Sequence, residues 1–579
     1  MTIGLITKLA KFVPNLLGLV SDNGTLWMKF KRTALGASIS SLNRILSAHP
    51  ATLWEYSEFV VSKPDPSDWT TWDWGPALVA ASFASPVVSG SGYTYRIGNT
   101  TLLNKINLTK VKFKPYSSVV GQTLLTIVGD DSYIEVEIDA DGKGITGVDA
   151  VGSRIKGWVK VANITGQDQS LGGTQSALRV QGIDCDLDVY AENLLQGTSP
   201  NTSIPRVVTT DNTVLSAIRN TIRARGVNVQ CGWVTTQESV NCEILHLNGV
   251  KDNGIYHLQG KVTAGSVTIQ NCDDEPVVSK EGLHINDLTV IDCNGASTMS
   301  GETKVANFTV GSYTVLADDP AKSYCPLAVR AANVNSKVTI GTLQGRVNLT
   351  TNTTVGGIFQ FEAGSVSELN IGELNLEVHY RAGSTKILAN MSKLKTLNIG
   401  RLSIKFIDDT GTLTFADKVD FRLPEALTGF SYIGEVSIVS DSAEVRIANV
   451  GQPLLQVSPN MEISTTEGPY IKQENAAFPS PRIFVGPAVP TVGAWLRGDV
   501  LKMKAPFNSG VIEYVCITAG TPGVWRASKW LTGRGTTASR PAMTATDTGV
   551  TYLDNTLNAN GKIIYWNGVA WIDSLGAVV

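Results

Sequence analysis

Charge and histidine are what this chain has least of. Its 579 residues include 5 histidines, charged residues make up only 17% and aromatic residues 7%. So little charge argues against a helical bundle, while 55 glycines favour a protein of strands and turns. The formal net charge of -3 comes without a basic run, which argues against nucleic acid as the main partner. The 7 cysteines are an odd number with no C-x-x-C pair and no histidine spacing for zinc, so neither a disulfide framework nor a metal site is expected and no cofactor is called for. They read instead as small buried hydrophobes in a chain made in a reducing cytosol. Neither a G-x-S-x-G elbow nor a phosphate-binding loop occurs. The apolar stretch from Met1 to Val20 is interrupted by Lys8, Lys11 and Pro14, which argues against a signal peptide or a membrane span. Leu5, Leu9, Phe12, Leu16 and Leu19 fall on one helical face, so an amphipathic helix that docks on a partner or associates with its own copies is expected there.

What the chain does have is a phrase that recurs: Ile or Val, usually Gly, a variable residue, then a bulky apolar one. It reads Ile285-Asn286-Asp287-Leu288, Val310-Gly311-Ser312-Tyr313, Ile340-Gly341-Thr342-Leu343, Ile371-Gly372-Glu373-Leu374, Ile399-Gly400-Arg401-Leu402 and Ile433-Gly434-Glu435-Val436. After each phrase the apolar residues alternate. Leu374, Leu376 and Val378 would point one way and Asn375, Glu377 and His379 the other, as do Leu402, Ile404 and Phe406 in the next copy. In the copy before, Leu343, Val347 and Leu349 keep the pattern and Gly345 is its weak point. Strands with one apolar face, repeated at roughly 25 to 34 residues, bury that face by stacking on their neighbours. The expectation is an all-β protein built on a right-handed parallel β-helix, a single-stranded solenoid. Leucine-rich repeats, propeller blades and helical arrays would each need a different period or pattern.

Tryptophan divides the chain. Trp27, Trp54, Trp69, Trp72 and Trp74 lie near the start, Trp495, Trp525, Trp530, Trp566 and Trp571 near the end, and none falls between Trp233 and Trp495. The Trp-free middle is expected to be solenoid, and the ends to be different modules. At the start, Gly75-Pro76-Ala77-Leu78-Val79-Ala80-Ala81 carries a helix-start signal, followed by Val87-Val88-Ser89-Gly90-Ser91-Gly92-Tyr93-Thr94-Tyr95-Arg96-Ile97. This resembles the opening of pectate-lyase-like β-helices, where a short amphipathic helix caps the first coil. Near the end, Trp495 to Asp499 with Tyr514 to Trp525, and then Ser539-Arg540-Pro541 through Tyr552-Leu553-Asp554 to Trp566 and Trp571, resemble small β modules of bacteriophage tail proteins. The expected segments are 1–65, an attachment and helical region; 66–465, the β-helix with its cap; 466–535, a β module; and 536–579, a tail-fibre-like module.

A capped β-helix with such ends resembles the tailspike depolymerases with which phages and prophages cut bacterial capsular polysaccharide or lipopolysaccharide. That resemblance implies a homotrimer in the virion tail, made in the host cytoplasm, with the N-terminal part joined to the phage tail or baseplate and the shaft acting on the glycan. It supplies no catalytic signature.

Catalytic side chains must then come from the outer face of the strands. Aligning copies on the repeat phrase puts Arg346, Glu377 and Lys405 at one outward offset, and Asp318, Asn348 and His379 two residues further along. With coils about 4.8 Å apart, Asp318 and Glu377 would lie roughly 10 Å apart, near the upper end of the carboxyl spacing of inverting glycosidases. One would protonate the glycosidic oxygen and the other activate water, with Asp319 as a reserve acid, Arg346 and Lys405 binding substrate, and Tyr380 and Arg381 beside them. His379 would be the base if the reaction were instead a β-elimination on a uronate-containing capsule. A charge ladder of Arg346, Glu377 and Lys405 is the plain alternative for these residues, and a glycan-binding fibre without catalysis the alternative for the chain. The acidic run Asp273-Asp274-Glu275 and the stretch Asp139-Ala140-Asp141-Gly142 read as turns, and Arg497-Gly498-Asp499 as coincidence.

Overall fold

The computed structural model describes residues from Ala51 onward, with internal gaps of which the longest are 312–326, 472–482 and 504–512. The expected N-terminal amphipathic helix, Cys325, Asp318 and Asp319 lie outside the described residues. The chain forms two compact units, Met1–Asn307 and Phe308–Val579.

In the first unit each coil contributes one long and one short strand to two parallel sheets. Inward positions of the long strands stack residue upon residue. Val136, Val159, Val189, Ala224, Leu245, Val267 and Leu288 form one row, and every member of it is buried. Aliphatic side chains at the same offset on successive coils touch both neighbours, and each one buried contributes about 1.5–3 kcal/mol. This is the parallel β-helix the alternation implied. The short strands put Val148, Leu178, Val208, Trp233, Ile255 and Val277 in register. Trp233 shows that the interior does accept an indole, 1% exposed, with its N–H donated to Thr210 Oγ1 at 3.1 Å.

Turn chemistry follows the same stacking. Asn163, Asn193, Asn228 and Asn271 adopt left-handed φ values of 61°, 55°, 54° and 51°, a conformation Asn tolerates better than most residues. Their side-chain amides also link coil to coil, Asn193 to Asn163, Asn228 to Asn193 and Asn271 to Asn248. The expected turn at Asp139–Gly142 is present, with Asp141 and Gly142 at φ 55° and 72°.

The first coil is capped. A helix, Gly75–Ala84, begins with Pro76 in its first turn, where a missing N–H costs nothing. It buries Ala77, Leu78 and Ala81 while Phe83 stays 62% exposed. Trp54, Trp69, Trp74, Tyr93 and Tyr95 pack edge-on beside it, and Ala51–Thr52 pairs in parallel with Val88–Ser89. Such a cap covers apolar side chains and unpaired backbone at an open end.

In the second unit the strands Asn335–Asn348, Val366–Tyr380, Thr396–Asp408 and Ser431–Ser440 lie parallel and superpose the repeat phrase, so that Ile340, Ile371, Ile399 and Ile433 stand in register. The phrase's glycine has a physical cause. A Cβ on Gly372 would lie 2.5 Å from the carbonyl oxygen of Gly341, and one on Gly400 2.5 Å from that of Gly372. Successive backbones approach too closely there for any side chain. Gly345, a gap in the apolar pattern, is likewise required: its φ is 135° and a Cβ would collide with the Val310 carbonyl. Gly400→Ala is therefore expected to destabilise this unit by about 1–3 kcal/mol, the cost of forced overpacking, read as a lowered thermal midpoint; an unchanged midpoint would refute the close-approach account.

Two small β modules follow. Trp495, Leu501, Met503 and Cys516 form one core, with Trp525 edge-on to Trp495 at 5.0 Å. Tyr552, Ile564 and Trp571 form the other. Asp499 of the Arg-Gly-Asp triplet is 1% exposed and accepts the Leu496 N–H at 2.8 Å, so that triplet is a turn. The described cysteines are all buried, and burial pushes the thiol of Cys185 up to about 11 and those of Cys231 and Cys242 up to about 12.

Candidate functional site

Parallel register places the outward residues of consecutive strands side by side. Arg346, Glu377 and Lys405 occupy one row, and Asn348, His379 and Ile407 the next outward row, as the repeat alignment implied. Lys405 Nζ lies 2.9 Å from Glu377 Oε2 and Arg346 Nε 3.9 Å from Glu377 Oε1.

His379 departs from the expectation. Alternation makes it outward, yet its side chain is only 4% exposed. It is covered by its own polar neighbours. Nε2 lies 2.8 Å from Glu377 Oε1, Nδ1 lies 2.8 Å from Asp409 Oδ1, and Arg346 Nη2 approaches Nδ1 to 3.3 Å. A neutral imidazole has one N–H. Satisfying both carboxylates takes one proton more than a neutral ring and two carboxylates hold together. The hydrogen bond from His379, and after it that from Lys405, holds the Glu377 carboxyl below the usual range. A ring enclosed in this way is positioned to pass a proton between its two carboxylates, and is badly placed to reach a substrate directly as the base of an elimination.

Tyr380 points inward, 8% exposed, with its ring 6.5 Å from that of the core residue Phe406, on the opposite side of the strand from the row of Arg346, Glu377 and Lys405. Arg381, 12% exposed, stands 3.5 Å from Asp409 Oδ2. Asp409 is the member that sequence reasoning missed. It continues the outward series Lys405, Ile407, Asp409 by one step, just past the strand end at Asp408. Its neighbour Asp408 has a different task, accepting the backbone N–H groups of Thr410 and Leu413 to shape the turn.

The side chains of Glu377 and Asp409 are 34% and 30% exposed, and both reach solvent on either side of the buried imidazole. Oxygens held 2.8 Å from opposite ring nitrogens lie roughly 7 Å apart by ring geometry, with the imidazole filling the space between them, so a substrate would meet each carboxylate on its solvent-facing side.

Among the described residues of the first unit several cations bridge carboxylates, Arg223 joining Asp186, Asp188 and Glu243 among them, and one such pair is partly buried. Arg179 bridges Asp149 and Asp211 at 3.5 and 2.9 Å, and Gln181 donates to both oxygens of Asp149. Burial pushes the Asp149 carboxyl up, although Arg179 opposes it. With an Asp149 side chain only 8% exposed, this group is less accessible than the one around His379. Asp273 pairs with Lys251 at 2.8 Å. Among the described residues no group of three or more His, Cys, Asp or Glu side chains is placed to hold a metal ion, and no helix is long and apolar enough to cross a membrane.

Comparison with known proteins returns no match: no family model, no curated protein and no solved structure is significantly similar to this chain.

Proposed function

We propose that this chain is a tailspike-type depolymerase, an endo-acting hydrolase of a bacterial capsular polysaccharide or lipopolysaccharide glycan. The observation that carries the reading is the pair of partly exposed carboxylates, Glu377 and Asp409, joined through the buried imidazole of His379. A simple surface ladder would leave its charges in water, where each pair is worth little. Enclosing an ionisable ring between two carboxylates is costly unless every contact is satisfied, and such arrangements concentrate at functional sites.

In this reading Glu377 stays ionised and takes a proton from water as the water oxygen bonds to the anomeric carbon. The glycosidic carbon–oxygen bond breaks, and the leaving oxygen receives the proton delivered by Asp409. His379, touching both carboxylates, returns the proton from Glu377 to Asp409 and resets the pair. Arg346, Arg381 and Lys405 hold the carboxylates and bind acidic or hydroxyl groups of the glycan. The terminal β modules and the capped shaft support a homotrimer in a virion tail, joined through the N-terminal part to a phage tail or baseplate.

The same three cations favour one second reading, a lyase in which they neutralise a uronate carboxylate and make its C5 proton acidic. The test follows new reducing ends and ultraviolet absorbance together while the purified protein acts on a panel of bacterial capsules and lipopolysaccharides. Reducing ends alone support the hydrolase. Both signals mean a lyase forming an unsaturated uronate, and binding without either signal means a glycan-binding fibre.

A further inference from the structure

The outer face of the long-strand sheet in the first unit is polar over most of its area, but three aromatic rings cross it obliquely. Tyr133, Trp158 and Tyr190 stand at outward positions of the strands Tyr133–Asp139, Lys156–Ala162 and Asp186–Leu194. Tyr133 pairs with Lys156 and Trp158 with Asp188, while Lys160 pairs with Tyr190. Each aromatic therefore lies one strand over and two residues further along than the one before. Strand spacing and rise put successive rings about 8 Å apart and the outer two roughly 16 Å apart. Val227, 39% exposed, takes the next step of the same diagonal opposite Glu192.

We propose that Tyr133, Trp158 and Tyr190 form a non-catalytic binding track for an extended polysaccharide chain. The interval between the rings is filled by groups suited to hydroxyls and not to a protein partner. Glu135, held by the Tyr133 hydroxyl at 3.1 Å, and Asp188, bonded to Arg223, flank Trp158 on the neighbouring strands. Lys160 and Arg225, both exposed, flank Tyr190, and Lys160 Nζ stands 5.5 Å from its ring centroid. The core of a protein interface is depleted of charge and buries contiguous apolar area, whereas this face alternates single rings with charged side chains. A pyranose ring offers an apolar C–H face for stacking and a rim of hydroxyls for hydrogen bonds, which matches that alternation. The cations at the Tyr190 end suit an acidic sugar. Only the choice of a bacterial surface glycan as ligand rests on the proposed function; the track is a binding element in the other unit of the chain.

The experiment measures equilibrium binding of the full chain to purified capsular polysaccharides and lipopolysaccharides, with dextran and polygalacturonate as defined neutral and acidic polymers. Trp158→Ala and Tyr190→Ala should each weaken binding about tenfold, the scale of one lost aromatic contact, while folding by circular dichroism and any turnover of short oligosaccharides stay unchanged. Tyr190→Phe should bind as the unaltered protein does, and Lys160→Met with Arg225→Met should weaken only acidic polymers. Equal binding by the alanine variants, or no binding of any polymer by the unaltered protein, would overturn the proposal. So would a change in sedimentation of Trp158→Ala, which would make this face a contact between copies of the chain. Binding without cleavage by the unaltered protein would count against the hydrolase and leave the track standing.

Discussion

Asp409→Asn is expected to lower turnover of the cleaved polysaccharide by about 100- to 10,000-fold, the usual contribution of a positioned acid or base, and Glu377→Gln by a similar factor. The two losses should differ in kind. Glu377 is held below the usual carboxyl range by His379 and Lys405, so as the base it sets the acid limb of the pH profile, and Glu377→Gln should abolish that limb. Asp409→Asn should cost least on substrates whose leaving group departs without a proton, since the proton it delivers is then gone. His379→Gln, which cannot carry a proton between the carboxylates, should lower kcat more than KM. Each variant is to be compared at matched thermal midpoint, because removing either carboxylate leaves a ring that is 96% covered with one contact fewer. Full turnover by folded Asp409→Asn would dismiss the pair. If Asp149→Asn lost activity instead, the site would move to the cluster of Asp149, Arg179 and Asp211.

How far the sequence leads is clearest at these residues. The register of Arg346 with Glu377 and Lys405, and of Asn348 with His379, follows from aligning copies of one phrase, because a parallel strand pairing transmits sequence offset directly into space. Burial on the outer face does not follow. Alternation knows only inside and outside, and His379 is outside yet enclosed, since long charged side chains from two neighbouring coils close over it. Asp409 escaped for a related reason: it lies one residue beyond the strand, where alternation ends and turn chemistry begins, and the turn-forming Asp408 beside it carries the same letter. Tyr380 points the opposite way. Its hydroxyl suggests a surface role, but its place two residues after Val378 puts it inward. The amide stacks of Asn163, Asn193 and Asn228 were equally hidden, because their spacings vary with loop length and only the coil brings them together.

Acid is expected to weaken the first unit through His257. This residue stands on the inward row of the short strands with Thr235 and Ser279, is 0% exposed, and is set in a polar vein through the apolar core. Its Nε2 lies 3.0 Å from the Gly260 carbonyl oxygen, to which it donates, leaving Nδ1 to face the Ser279 hydroxyl at 3.3 Å. Ser279 Oγ lies in turn 3.1 Å from Thr303 Oγ1. Burial, against the smaller opposing pull of the Gly260 and Gln259 backbone, drives the imidazole down from 6.5 to about 4. The folded value is the lower one, so between these two values the unfolded chain binds the proton and the folded chain does not. Stability from this residue is therefore complete above pH 6.5, falls as pH drops towards 4, and levels off below it. A separation of this size corresponds to about 3 kcal/mol. Urea midpoints measured from pH 7.5 to 4 should fall accordingly, and His257→Met, which fills similar space without a titrating group, should remove that part of the slope while carboxylate titrations remain in both proteins. Parallel slopes would mean that His257 takes up its proton as readily inside the fold as in the unfolded chain, which the Nε2–carbonyl and Nδ1–hydroxyl partners do not favour. Because the ring sits in the row that joins successive coils, its protonation would act on the stacking of the coils on either side and leave the Glu377 and Asp409 pair, in the other unit, with its own separate pH dependence.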